Sequence, residues 1–317
     1  MIHRQITSFN PAQPTTDGAG VAIQRVAVMG LSSVDPVLMI DELKSPFRED
    51  FQAGFPAHPH RGMQTLTYML AGGIAHEDSM GNRGEIREGG VQWMSAGSGV
   101  IHSEMPTQDT TGLHGFQLWF NLPSEMKMSA PRYRDIPSTA LPQASADRSS
   151  LTAIAGDWRI DDHRIAGPLH ELAPIAQMAD LSLDAFADAT FEISSTSNAM
   201  VFVFEGAVET SSQTLPAPGL AVFERDCRNN SKSGDAEQNL VTVRASNAGA
   251  RCLLLTGDPI GEPVVHYGPF VMNTRAEIET ALHEYRSGTF LKHYASAICD
   301  GSVLGRLRYT ISIYWAG

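Results

Sequence analysis

The 317-residue chain has only three cysteines, Cys227, Cys252 and Cys299, which lie far apart and form no CxxC pair. An odd, scattered set supports neither a disulfide framework nor a structural zinc cluster, and it fits a reducing, cytoplasmic setting. Basic residues are also in short supply. The 23 Lys and Arg stand against 35 Asp and Glu, for a formal net charge of −12, and they occur singly rather than in runs. With no electropositive stripe to track a phosphate backbone, direct nucleic-acid binding is disfavoured. Long apolar runs are missing too. No stretch reaches the roughly 18 residues that a membrane-spanning helix requires, and residues 1–7 lead into Pro11 and Pro14 without the apolar core of a signal peptide. The glycines at 81, 84, 89, 90, 97 and 99 are followed by no GK[ST], and no serine elbow or Cys/His signature supports covalent catalysis.

What the chain does contain is a strand-and-turn rhythm. Apolar runs of four to eight residues end in Gly, Pro, Asn or Asp, as in Gln64 to Leu70 before Ala71-Gly72-Gly73, or Ala199 to Phe204 before Glu205-Gly206. Helical periodicity is clearest from Arg275 to Tyr285, where Ile278, Ala281, Leu282 and Tyr285 share a face and Asn273 or Thr274 can cap the start. At about 150 residues per domain the length suggests two domains. Prolines at 123, 131, 137 and 142 mark a crossing segment between two strand-rich blocks. The expected division is 1–140 and 141–317, two barrels or sandwiches of similar size. Residues 307–313 alternate like a half-buried strand, although a tail of separate origin explains residues 301–317 equally well.

The chemistry centres on spacing. In Gly54-Phe55-Pro56-Ala57-His58-Pro59-His60-Arg61-Gly62 two imidazoles stand two residues apart, which on an extended chain puts them on one face about 6.5 to 7 Å apart. His102 and Glu104, in Gly97-Ser98-Gly99-Val100-Ile101-His102-Ser103-Glu104, repeat the spacing. On adjacent strands the two pairs would make a three-His, one-carboxylate metal site with open positions, suited to Fe(II), Mn(II), Ni(II) or Cu(II). The plainer alternative puts His58 and His60 on a proline loop and His102 in the core; the second pair, with its own glycine-rich turn, favours the metal. His76-Glu77-Asp78 reads as a hairpin rim, because adjacent strand residues alternate faces. Gln117 can reach the metal pocket, but a satisfied buried amide, with Trp119 packed in the barrel, is the better expectation.

Several motifs occur together and in order: Gly54-Phe55-Pro56 into His58-Pro59-His60-Arg61-Gly62, then Ala75-His76-Glu77-Asp78, Gln92-Trp93-Met94, Gly97-Ser98-Gly99, His102-Ser103-Glu104-Met105-Pro106, Gln117-Leu118-Trp119-Phe120-Asn121-Leu122-Pro123, Pro131-Arg132-Tyr133 and His266-Tyr267-Gly268-Pro269-Phe270. Across roughly residues 20 to 290 this resembles the pirin family of the cupin superfamily. The resemblance implies an all-β bicupin, two jelly-roll-like β-barrels with a short C-terminal helix. It also implies one mononuclear metal in the N-terminal barrel, held by His58, His60, His102 and Glu104. Fe(II) is the expected ion, with Mn, Ni, Cu or Zn as alternatives. The block from Phe191 to Thr256 contains no histidine, which fits a metal-free second barrel. One departure stands out. Where the family commonly has an aromatic-Glu-Thr, this chain reads Met63-Gln64-Thr65, which puts in doubt any role of that carboxylate in tuning the metal.

The function implied is that of a pirin-like quercetin 2,3-dioxygenase, opening a flavonol or a related enolizable or catecholic small molecule with O₂, with Glu104 as ligand and catalytic base. A different class is a non-catalytic, iron-dependent regulator whose oxidation state is read by a partner protein. A third is another cupin chemistry on Mn or Ni, such as isomerisation.

Overall fold

The computed structural model describes residues 2–172, 175–210, 213–225 and 238–293. Cys227, Cys299 and the alternating tail lie outside these residues. Within them the protein is built from strands, with one α-helix near the end. No helix among the described residues is long and apolar enough to cross a membrane.

Two sheets form the N-terminal half. The larger runs in the order Arg132–Ile136, Val91–Ser95, Met63–Ala71, Leu113–Asn121, Val37–Ser45, Val21–Ala27, Gln13–Asp17. Its partner has four strands, in the order Phe55–His60, Val100–Pro106, Gly73–Asp78, Arg83–Arg87. Alternation divides the labour of each central strand between its two faces. In Met63–Ala71, Thr65, Thr67 and Met69 look into the barrel. Leu66 and Tyr68 look out, into a core shared with Met178, Met200, Phe202, Phe204, Leu253 and Leu255 of the C-terminal half. The C-terminal half is one extensive sheet centred on Gln238–Gly257. It takes in the first strands of the chain: Ile2–His3 pairs with Gln238–Gly257, and Ile6–Pro11 with Gly219–Phe223.

The change of sheet occurs where the prolines predicted a crossing. Arg132–Ile136 still pairs with Val91–Ser95, whereas Gln143–Ala146 already pairs with Ser149–Ala155. We propose residue 140 as the boundary, with the first strands and the last hairpin reaching across it. The turn expected at Glu205-Gly206 is absent. The strand runs on through Asn198–Glu209, with register shifts between Val203 and Glu205 and between Gly206 and Val208. Gly206 has φ +66°, and a Cβ there would stand 2.1 Å from the Gly249 carbonyl oxygen, so the glycine serves a bulge inside a continuing strand.

The C-terminal segment folds back onto the N-terminal barrel. Helix Arg275–Ser287 starts at Thr274, whose side chain and that of Glu277 form a reciprocal capping box, and stops at left-handed Gly288. Its buried Ile278 and Ala281 pack with Phe270, Met272 and Phe290. Arg61, beside His60, is fastened under this segment. Its Nε donates to the Ser98 carbonyl at 2.7 Å, its Nη2 donates to Glu284 at 2.7 Å and to the Phe290 carbonyl at 3.0 Å, and its guanidinium lies 4.4 Å from the Phe290 ring centre. Lys127 Nζ likewise donates to the Gly62 carbonyl at 2.8 Å, Asn121 Oδ1 at 2.6 Å and the Val271 carbonyl at 3.1 Å. The turns that carry both histidine-bearing strands are therefore pinned from outside the barrel.

Candidate metal centre

Phe55–His60 and Val100–Pro106 are antiparallel neighbours, with His102 directly opposite His58 and Val100 opposite His60. The register shifts between His102 and Glu104: two steps on one strand face three on the other, because Glu104 pairs with Phe55. Pro56 and Ala57 together face Ser103, a bulge of the kind that bends a strand. The three imidazoles converge, with ring centres 4.8 Å (His58 to His60), 4.4 Å (His58 to His102) and 4.9 Å (His60 to His102) apart. One nitrogen from each ring falls within 4.8 Å of the others. Burial, followed by the nearby His58 ring, holds His60 and His102 well below the ordinary imidazole range, so both present neutral lone pairs.

The nitrogens left over are the test of whether an ion fits. His60 Nδ1 and Nε2 and His102 Nε2 are buried and have no hydrogen-bond partner. A buried polar atom left unpaired costs about 1 to 3 kcal/mol, and one nitrogen of His60 and Nε2 of His102, gathered with one nitrogen of His58, form a donor set lacking its acceptor of lone pairs. The other nitrogens are assigned locally. His58 Nδ1 lies 2.9 Å from the Pro56 carbonyl oxygen, to which only an N–H can bond, so its Nε2 is the free donor. His102 Nδ1 is taken up by His76 Nδ1 at 3.4 Å, which leaves Nε2 for an ion.

Glu104 is buried and is held from the opposite sheet. Thr67 and Gln117 are direct cross-strand partners. The Thr67 hydroxyl donates to Gln117 Oε1, which turns the Gln117 amide nitrogen toward Glu104 Oε2 at 3.2 Å; Thr67 Oγ1 is also 3.3 Å from Glu104 Oε1. Gln117 thus reaches the site, and Trp119, two residues on, meets His60 edge to face at 5.2 Å. Trp119 also packs with Met29 and Val264 around Leu38, Met63 and Val271. Glu104 groups within 4.8 Å of His76 and His102, so two donor triads share His102.

One expectation needs correction. His76 is not a rim residue: it is 1% exposed and lies against His102. His76 and Asp78 have the same two-residue spacing as the other pairs, and Gly73–Asp78 neighbours Val100–Pro106, with His76 opposite Glu104 and Asp78 opposite His102. That two-residue spacing is the signal the sequence carries for them. Gln64 does not face the ion site. It shares the outward face of Leu66 and Tyr68, and its Nε2 donates to the Glu171 carbonyl at 3.1 Å, so exchanging carboxylate for amide there alters the contact between the halves. His114 also lies away from the centre, 2.9 Å from Glu42 and beside Phe204.

Comparison with known proteins agrees with this architecture. The Pirin family model matches residues 20–120, and the model of the pirin C-terminal cupin domain matches residues 178–291. A Vibrio cholerae protein named "putative quercetin 2,3-dioxygenase" is 44% identical, over 90% of this chain and 98% of its own. A pirin-like protein of Caulobacter vibrioides is 39% identical, over 90% and 99%. Among solved structures, a quercetin 2,3-dioxygenase of Acinetobacter baumannii superposes with a TM-score of 0.78 at 29% identity, covering 91% of this chain and 98% of the other. The all-β architecture, with one α-helix among the described residues, is that of two cupin barrels, and the chain belongs to the pirin family.

Proposed function

We propose that His58, His60, His102 and Glu104 hold one divalent transition metal, Fe(II) in the first instance, and that the protein is a dioxygenase acting on quercetin-like flavonols or related enolizable or catecholic small molecules. The observation that carries this reading is the convergence of one nitrogen from each of His58, His60 and His102, with unpartnered buried nitrogens on His60 and His102. The names of the Vibrio and Acinetobacter relatives support the reaction class. Held by His58, His60, His102 and Glu104, a divalent ion would supply a Lewis acid for adjacent substrate oxygens.

The protein's own groups do the rest. Glu104, its Oε2 held by the Gln117 amide that Thr67 orients, is placed to ligate and to accept a hydroxyl proton from substrate. Trp119, packed with Met29 and Val264, meets His60 edge to face and puts apolar surface beside that ring. The test is oxygen uptake with quercetin after anaerobic Fe(II) reconstitution, run beside His102→Ala. About one iron per chain with uptake in the wild type, and neither in the variant, is the expected result. Bound iron without uptake would overturn the dioxygenase and favour a redox-read regulator; no bound iron would overturn the centre itself.

A further inference from the structure

Against His102 lies a further buried histidine, His76, that the proposed ligand set does not use. His76 Nδ1 is 3.4 Å from His102 Nδ1. Its other nitrogen, Nε2, is 3.7 Å from Asp78 Oδ2, too long for a hydrogen bond but close enough for the carboxylate to favour a proton there. Asp78 is itself fastened, accepting from the Asn82 side chain at 2.7 Å and from the backbone N–H groups of Met80 at 2.9 Å and Asn82 at 3.0 Å. Burial works against ionised Asp78, yet these neighbours and His76 hold its carboxyl below the usual range. The ring of Tyr133 lies over His76, with centres 4.9 Å apart and planes 34° from parallel. Its hydroxyl donates to Asp135 at 2.6 Å and accepts from Gln92 at 2.8 Å.

We propose that His76 is a positioning residue, which accepts the Nδ1 proton of His102 and so commits His102 Nε2 to the metal, with Asp78 and Tyr133 fixing the tautomer and plane of His76. The inference rests on the metal-binding reading above. Its logic is a count of protons. Two Nδ1 atoms that face each other can share only one hydrogen. When His102 gives its Nε2 lone pair to an ion, the neutral ring must carry its proton on Nδ1. His76 Nδ1 must then be the acceptor, and the His76 proton must sit on Nε2, beside Asp78. Were the proton on His76 Nδ1 instead, His102 would carry its own on Nε2 and have no lone pair for the ion.

The test uses the full-length protein loaded with Zn(II) as a diamagnetic probe. In protein with ¹⁵N-labelled histidine, proton–nitrogen correlation spectra should show His102 protonated at Nδ1 and His76 at Nε2. Chelator competition should then show Zn(II) affinity lowered about 10- to 100-fold in His76→Leu and largely restored in His76→Asn, whose side-chain oxygen can accept from His102 Nδ1. A structural role alone would not separate Leu from Asn in this way. A proton on His76 Nδ1 in the loaded wild type would overturn the proposal without needing any variant. So would equal affinity in wild type and His76→Leu, or two Zn(II) per chain with one lost in His76→Leu, which would make His76 a ligand. Failure of wild type to bind Zn(II) would overturn the metal reading together with this one, whereas the other adverse results leave that reading standing.

Discussion

The two barrels differ most in what fills them. Inside the C-terminal barrel the side chains are apolar: Leu151, Trp158, Leu181, Phe191, Val201, Val241 and Leu254 belong to one buried cluster, and Trp158 meets Phe191 at 5.7 Å between ring centres. The N-terminal barrel interior is divided. Val21, Ile23, Leu43, Phe51, Met69, Ile74 and Ile86 pack one part of it, and the remainder is given to His60, His76, His102, Glu104, Thr67 and Gln117. Burying apolar area stabilises by about 25 cal/mol per Å², whereas burying an unpaired imidazole nitrogen opposes folding. The pair of barrels therefore separates tasks that conflict in one core. The C-terminal barrel and the apolar layer shared by both halves hold the molecule together, and the N-terminal barrel can carry a site that is incompletely satisfied without an ion.

The sharpest way to break that comparison is to make the first interior resemble the second. His60→Leu removes two buried, unpartnered nitrogens along with one proposed ligand. We expect metal binding to fall below detection by elemental analysis while the metal-free protein gains about 1 to 3 kcal/mol in denaturant unfolding. Metal retained at one ion per chain would remove His60 from the site. Next in size, Phe191→Ala in the C-terminal barrel should cost about 3 to 5 kcal/mol of stability and leave metal stoichiometry unchanged. A parallel loss of metal from the folded variant would show that the two tasks are not separate.

How much of this was legible in the sequence follows from the range of the interactions involved. The His58/His60 and His102/Glu104 pairs, the glycine turns before them, the helix near Arg275 and the change of sheet near residue 140 depend on neighbours within a few residues, and spacing reports those. Which strands lie side by side does not. The role of His76 depends on Gly73–Asp78 lying beside Val100–Pro106, and that of Thr67 on its register with Gln117 across Leu113–Asn121. The return of Ile6–Pro11 to the far sheet spans most of the chain. Gly206 is ambiguous in the sequence: a left-handed glycine serves a turn or a bulge equally well, and only the pairing with Gln238–Gly257 decides between them.

Gln64 gives the smallest expected effect and tests the finest part of the comparison, the sheet that separates the site from the shared core. Strand alternation puts Thr65 and Thr67 toward Glu104 and Gln64 toward Glu171, whose own carboxylate is paired with Arg134 at 3.0 Å. Gln64→Leu removes the donor to the Glu171 carbonyl while keeping the volume. It should cost about 0.5 to 1.5 kcal/mol in denaturant unfolding, through weaker docking of the C-terminal half, with metal affinity unchanged. If metal affinity fell instead and stability held, Gln64 would have to act on the ion through the sheet. The two faces of Met63–Ala71 would then not be the independent surfaces on which the division between the barrels depends.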